Sequence, residues 1–243
     1  MLRAFGYEVK TEGNRISLQG GGKLVATEIQ VPSDISSAAF FMVGAAITEG
    51  SDVTLEAVGI NPTRTGVIEI LKQMGADLTV ENERIAGGEP IADIRIRGTR
   101  SLKGIHMPED QVPLAIDEFP ALFIAAACAE GRTILTGAAE LRVKESDRIQ
   151  VMADGLKTMG IDCTPTDDGI IIEGKGKSGD WSAVFSGGEI ESHHDHRIAM
   201  SFSMAGLRTS GEIKIIGTET VATSFPTFTE LANQAGLAIQ VSE

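Results

Sequence analysis

The chain of 243 residues is long enough to bury a sizeable core in one or two domains. Its formal net charge of −13 argues against nucleic acid or an anionic membrane surface as the main partner. Hydrophobic residues make up 42% of the chain, but the longest apolar run, at 38–47, is about half the length that spans a bilayer. No export leader is recognisable at the start, so we expect a cytoplasmic protein.

The first 32 residues are predicted to be the end of one structural unit. Residues 1–6 match the last turn of a helix closed by a glycine. Short strands are predicted over 7–9, 15–18 and 26–31. Pro32 then ends the last strand, and the following Ser-Asp pair caps a helix predicted over 36–48. We therefore expect residues 1–32 to be the tail of a largely missing first domain and residues 33–243 to form a second.

From residue 33 onward, one order of predicted elements occurs three times: an aspartate, an apolar helix, a glycine, a short strand, a polar turn and a second helix. The opening aspartates are Asp34, Asp117 and Asp195. The apolar helices are predicted over 38–47, 119–129 and 198–207. Each second helix ends at a glycine that follows the aspartate by 41, 43 or 41 residues. This spacing predicts three related units, whose fully apolar helices are expected to be buried centrally.

The polar turn of the second unit, LRVKESDR at 141–148, is the most unusual stretch, with three cations and two anions. Ser146 or Asp147 could cap the next helix, so that Arg148 lies in its first turn. A cation there forgoes about 0.3–1 kcal/mol of favourable interaction with the helix dipole. Arg197 occupies the same position in the first helix of the third unit. Two such arginines predict an anion-binding site, and a solvated charged turn is the alternative.

The cysteines and histidines do not form a recognisable metal motif. Cys128 and Cys163 have no partner at a metal-binding spacing, so both are expected to be reduced and structural. Residues 192–197 contain three histidines and an aspartate, but Asp195 already opens a helix and no HExxH or CxxC motif accompanies them. We therefore expect no bound metal. Trp181 is predicted to pack on a sheet.

Taken together, these motifs resemble the enolpyruvyl transferase family. LRVKESDR at 141–148 and DHRIAM at 195–200 are similar to its signatures. NPTRTG at 61–66, IDEFP at 116–120 and ATSFP at 222–226 resemble the class II branch of the members that act on shikimate-3-phosphate. The resemblance covers essentially the whole chain. It implies an α/β (α+β) fold, an inside-out α/β domain of three βαβαββ repeats whose helix N-termini face an interdomain cleft.

The resemblance also implies a reaction. The enolpyruvyl group of phosphoenolpyruvate would be transferred to the 5-hydroxyl of shikimate-3-phosphate with release of phosphate, a step of aromatic amino-acid biosynthesis that needs no cofactor. By motif, Asp117 is the expected base for the 5-hydroxyl, and it would bind shikimate-3-phosphate together with Lys144. Lys144 and Glu145 would handle protons at the oxygen and at the enolpyruvyl carbon, as enol-ether chemistry requires.

For phosphoenolpyruvate, the resemblance implies binding by Arg148, Arg197 and Glu145. The planar fork of arginine suits carboxylate and phosphate groups. His196 would be a supporting residue that orients its neighbours. One departure is Thr223, where many members have a lysine two residues before Phe-Pro, which puts a role of this position in phosphate binding in doubt.

The family's N-terminal Lys-Ser and most of the domain that binds shikimate-3-phosphate are absent, so the missing N-terminal half of the same enzyme is an expected partner.

Three alternative functions remain. A UDP-N-acetylglucosamine enolpyruvyl transferase would use a mobile-loop cysteine, and neither cysteine lies in such a loop. An RNA 3′-phosphate cyclase would need a nucleic-acid surface, which the charge disfavours. The third alternative is a folded half or scaffold without turnover.

Overall fold

A computed structural model describes residues 1–176 and 183–242. Trp181, predicted to pack on a sheet, lies outside the described residues. The α-helices within the described part are α1 Ile35–Ala46, α2 Gly66–Gln73, α3 Phe119–Cys128, α4 Arg148–Thr158, α5 His196–Ala205, α6 Glu219–Ser224 and α7 Phe228–Gln234. The strands are β1 Lys10–Glu12, β2 Arg15–Ser17, β3 Asp52–Gly59, β4 Asp77–Ala86, β5 Glu89–Arg97, β6 Glu130–Leu135, β7 Cys163–Thr166, β8 Gly169–Lys175, β9 Gly188–Glu191 and β10 Ile213–Ile216.

Two stretches of the chain share one order of elements. The first runs α1, β3, α2, β4, β5 and the second runs α3, β6, α4, β7, β8. Each forms a three-stranded antiparallel sheet with its last strand in the middle, in the orders β3-β5-β4 and β6-β8-β7. After α5 the pattern differs, because β10 pairs in parallel with β9, which precedes that helix. The architecture is therefore a mixed α/β fold.

The core is built on the three apolar helices, which contact one another. Every residue of α3 is buried, and so are most residues of α1 and α5. A helix without a polar face has to be enclosed in this way, and the prediction that these helices are buried is confirmed. Gly155 of α4 lies so close to α5 that a Cβ atom there would stand 2.3 Å from the Phe202 ring, so only glycine permits this approach.

The predicted opening aspartates do not all cap their helices. Asp34 accepts a hydrogen bond from the N–H of Ser37, three residues later, at 2.9 Å. The residue at the same distance after Asp117 is Pro120, which has no N–H to donate. The N-cap position of α3 is occupied by the next residue, Glu118, which makes no side-chain cap hydrogen bond either. Asp117 therefore precedes its helix, as predicted, but does not cap it, and its carboxylate contacts other groups.

The third opening aspartate and the turn before α4 follow the prediction. Asp195 accepts from the N–H of Arg197 at 2.9 Å. At α4, Asp147 is the capping residue and accepts from the N–H of Gln150 at 3.0 Å. Arg148 is thus the first residue of its helix, as the sequence predicted.

Residues 1–32 differ from the rest because they are mostly exposed. The strands predicted over 7–9 and 26–31 are absent, and only β1 and β2 form, as a two-stranded hairpin. A strand needs a neighbour to satisfy its backbone groups, and this part of the chain offers no other partner within the described residues. The turn at Gly6 has the same two backbone hydrogen bonds as the turns at Gly75 and Gly160. In each turn, the N–H of the glycine and the N–H of the next residue donate to carbonyls three and five residues earlier.

Both cysteines are free and buried, as expected. Burial raises the pKa of the Cys128 thiol to about 12 and that of Cys163 to about 11, so neither is an activated nucleophile at neutral pH. Among the described residues, no helix has the length and apolarity needed to cross a membrane.

Candidate active site

The predicted site residues lie where the N-termini of α3, α4 and α5 meet. Asp117 lies two residues before Phe119, the first residue of α3, and its carboxylate is the centre of the group. One carboxylate oxygen, Oδ1, lies 3.3 Å from Nη1 of Arg148 and 3.8 Å from Nζ of Lys144. The other, Oδ2, lies 3.8 Å from Nη2 of Arg197. The structure therefore brings together residues that are up to 80 positions apart in sequence.

Arg148 is the most deeply buried of these cations, with a side chain that is 1% exposed. Its Nε donates to Asp195 Oδ2 at 2.8 Å, and its Nη2 donates to Glu145 Oε2 at 2.5 Å. Together with Asp117, three carboxylates surround one guanidinium group. These contacts offset its unfavourable place at a helix N-terminus. In this structure Arg148 consequently presents almost no surface to a ligand.

Arg197, Lys144 and Glu145 are more accessible. The Arg197 side chain is 16% exposed, and its Nη1 donates to the backbone carbonyl of Asp117 at 3.0 Å. Lys144 also pairs with Glu140 at 2.5 Å. Glu145 is the most exposed of the predicted residues. An anionic ligand can therefore reach Arg197 and Lys144 from solvent, beside a carboxylate able to exchange protons.

Burial and charge perturb two groups at the start of α5. Burial raises the pKa of Asp195, but hydrogen bonds and charge from Arg148, with hydrogen bonds from Ser146 and the Arg197 N–H, outweigh it and hold the pKa below the ordinary value of 3.8. Burial, together with the charge of Arg197, lowers the pKa of His196 below its ordinary 6.5. His196 is therefore mostly neutral at pH 7, which suits a supporting residue.

The sequence analysis assigned no site role to Arg64, Ser36 or Glu118, which the structure places beside Asp117. Nη2 of Arg64 lies 3.9 Å from Asp117 Oδ2 and donates to the Ser36 hydroxyl at 2.7 Å. That hydroxyl in turn donates to Glu118 Oε1. The repeat itself carried the missing signal, because Arg64 lies in the polar turn of the first unit that corresponds to 141–148 in the second. Asp117 thus has four cations within 3.9 Å.

The departure at Thr223 falls in α6, where the exposed threonine donates its hydroxyl to the backbone carbonyl of Thr220 at 2.8 Å. Within residues 1–176 and 183–242, no group of three or more histidine, cysteine or acidic side chains is arranged to hold a metal.

Comparison with known proteins identifies the family of this chain. The family model of EPSP synthase (3-phosphoshikimate 1-carboxyvinyltransferase) matches residues 1–231. This chain belongs to the EPSP synthase family. It is 64% identical over 242 residues to the 3-phosphoshikimate 1-carboxyvinyltransferase of Methylococcus capsulatus, covering 100% of this chain and 53% of that protein. The corresponding protein of Nitrosococcus oceani is 61% identical, with coverages of 99% and 52%.

Solved structures support the same family. The EPSP synthase of Acinetobacter baumannii is 90% identical and superposes with a TM-score of 0.97, covering 100% of this chain and 54% of that one. The enolpyruvyl transferase NikO of Streptomyces tendae is 17% identical with a TM-score of 0.74, covering 98% of this chain and 52% of that one, which shows a shared fold. The resemblance derived from the motifs is confirmed. The chain spans about half the length of the curated relatives it matches.

Proposed function

We propose that this chain supplies one half of a 5-enolpyruvylshikimate-3-phosphate synthase. The assembled enzyme transfers the enolpyruvyl group of phosphoenolpyruvate to the 5-hydroxyl of shikimate-3-phosphate and releases phosphate. The observation that carries this proposal is Asp117, a carboxylate with four cations within 3.9 Å in a chain of the EPSP synthase family. Such a cluster suits a reaction of two anionic substrates in which an alcohol loses a proton.

The predicted catalytic and phosphoenolpyruvate-binding residues each have a role in that reaction. Asp117 removes the proton of the 5-hydroxyl, whose oxygen attacks the substituted carbon of the enolpyruvyl double bond while the methylene carbon gains a proton. Phosphate then leaves with its electron pair as the new methyl group loses a proton, which restores the double bond. Lys144 and Glu145 move these protons. Arg197 binds the phosphate and carboxylate of phosphoenolpyruvate directly, and Arg148 supports this charge from beneath.

We also propose how the chain is divided. Residues 33–243 form three βαβαββ-type units around an approximate threefold axis, with α1, α3 and α5 at its centre. The equal element order of the first two units and the mutual contacts of the three helices support this arrangement. Residues 1–32 belong to another domain. Their exposure, and the turn at Gly6 with the hydrogen bonds of a helix end, support that division.

The partner that completes the enzyme is the other half of an EPSP synthase. Large apolar side chains are exposed along residues 1–31, where a second domain would cover them. They are Met1, Leu2, Ile16, Leu18, Leu24, Val25 and Val31.

We expect no turnover by this chain alone. Positioning of two reactants contributes about 7–11 kcal/mol to lowering a barrier, and a half-site open to solvent provides neither that positioning nor the exclusion of water.

The test is a phosphate-release assay with phosphoenolpyruvate and shikimate-3-phosphate. The purified chain is assayed alone and then with the part of the Acinetobacter baumannii EPSP synthase outside the match, expressed separately. We expect no phosphate from the chain alone and release from the mixture, with the enol-ether product identified by mass spectrometry. Product from UDP-N-acetylglucosamine would favour the sister activity. A mixture that associates but makes no product would favour a non-catalytic scaffold.

A further inference from the structure

Glu118 is an unusual residue at the start of a helix that is otherwise apolar and buried. Its side chain is 1% exposed, although it makes no cap hydrogen bond to α3. A buried carboxylate is costly unless cations and hydrogen bonds compensate for its lost hydration. Helix propensity and core packing do not account for an acidic residue here, so its contacts must.

The side-chain contacts of Glu118 with described residues converge on one oxygen, Oε1. The Ser36 hydroxyl donates to it, Arg64 Nη2 lies at 3.7 Å and Arg197 Nη1 lies at 4.0 Å. Ser36 belongs to α1, Arg64 to the turn before α2, and Arg197 to α5. Glu118, at the start of α3, therefore joins groups from the starts of α1 and α5 and from the turn before α2.

The same two arginines also reach the neighbouring carboxylate. Nη2 of Arg64 and Nη2 of Arg197 lie 3.9 Å and 3.8 Å from Asp117 Oδ2. Two guanidinium groups this close to one oxygen repel each other, and a second anion between them offsets the repulsion. Ser36 adds directionality, because its hydroxyl accepts from Arg64 while it donates to Glu118.

We propose that Glu118 is a positioning residue that holds Arg64 and Arg197 on the same oxygen of Asp117. The positions of the two guanidinium groups are a property of this chain by itself. Their importance for catalysis rests on the function proposed above. Arg64, whose side chain is 45% exposed, becomes a further cation that faces the anionic substrates.

The pKa of Glu118 responds to the same contacts. Burial raises this pKa above the ordinary value of 4.5, whereas the Ser36 hydrogen bond and the charges of Arg197 and Arg64 lower it. Nearby Asp117 also raises it. The net direction is upward, so the charge of Glu118 depends on the two arginines staying where they are.

The decisive variant is Glu118→Gln, which keeps the shape and an acceptor for the Ser36 hydroxyl but removes the charge. In the full 243-residue chain, labelled with ¹⁵N, we expect the side-chain Nε–Hε signals of Arg64 and Arg197 to shift and their hydrogen exchange to accelerate by about tenfold or more. The matched control is Glu173→Gln, which removes the carboxylate of the surface pair with Arg132. The control should leave both signals unchanged.

Kinetics of the completed enzyme provide the second measurement. We expect Glu118→Gln to raise KM for phosphoenolpyruvate by about tenfold, with a smaller fall in kcat, because its effect is on the orientation of binding groups. Glu118→Asp should recover part of the loss. Unchanged arginine signals in a folded Glu118→Gln chain would overturn the inference, whatever the activity. If the unmodified mixture makes no product, the proposed function fails, and the arginine signals still decide the role of Glu118.

Discussion

The first and second units of this chain have the same elements in the same order but use their opening aspartates differently. Asp34 caps α1 through the N–H of Ser37, whereas Asp117 has Pro120 at the corresponding position and caps nothing. The Asp117 carboxylate contacts four cations instead. Asp195 of the third unit does both, since it caps α5 and pairs with Arg148. The missing donor at Pro120, and a helix that begins one residue later relative to its aspartate, thus separate a structural aspartate from a candidate base.

The largest effect is expected from replacing the two aspartates in parallel. Asp117→Asn should reduce turnover by the completed enzyme by about 10²–10⁴-fold, because the base is lost. Asp34→Asn should leave turnover nearly unchanged, since an asparagine is also a good cap. Steady-state phosphate release measures both variants. Equal losses would contradict the division of roles between the two units.

The next largest effect concerns Arg148, which the second unit has at the start of α4. Arg148→Met removes the cation but leaves three carboxylates around the vacated position, and we expect a loss of about 3–5 kcal/mol in the free energy of unfolding. Urea denaturation of the chain followed by circular dichroism measures this loss. The matched control is Arg132→Met, at an exposed pair with Glu173, which should change stability by less than about 1 kcal/mol. Similar losses from the two variants would mean that the buried ion pairs of Arg148 stabilise the chain no more than an exposed pair does.

A pH series sharpens the contrast at Asp195. Its pKa in the folded chain lies below the ordinary 3.8, so the unfolded state binds more protons in this range. The stability that Asp195 contributes is complete above its unfolded pKa and is lost as the pH falls through the lower folded pKa. Asp195→Asn should therefore be less stable than the natural chain near neutral pH, by about 1–3 kcal/mol. The difference should narrow in acid, as urea midpoints at several pH values would reveal. A difference independent of pH would refute this.

The smallest effect tests the comparison most directly. Pro120→Ala supplies an N–H three residues after Asp117, the spacing at which Ser37 donates to Asp34, so that Asp117 can accept a hydrogen bond from the first turn of α3. A cap hydrogen bond is worth about 1 kcal/mol, so competition for the carboxylate should reduce turnover by roughly fivefold. Thermal unfolding should show no loss of helix. Unchanged turnover together with a new hydrogen bond to the Asp117 carboxylate would contradict the prediction, because it would show that capping does not compete with catalysis.

Local patterns in the sequence predicted much of this fold. The apolar runs identified α1, α3 and α5, since a helix without a polar face must be buried. The cap at Asp147 and the place of Arg148 followed from their immediate neighbours. The strands predicted over 7–9 and 26–31 failed because a strand depends on a partner that a local pattern does not specify.

The sequence by itself determined the family, through its motifs, and the burial of the three central helices. Only the tertiary structure decided which charges meet. Arg148 is enclosed by Asp195, 47 positions away, and Glu118 bonds to Ser36 across 82 positions. Charges within one turn of chain can be paired by inspection, whereas pairs between units depend on how the helices pack. For that reason Arg64 and Glu118 became visible as members of the site only after the three helix N-termini were brought together.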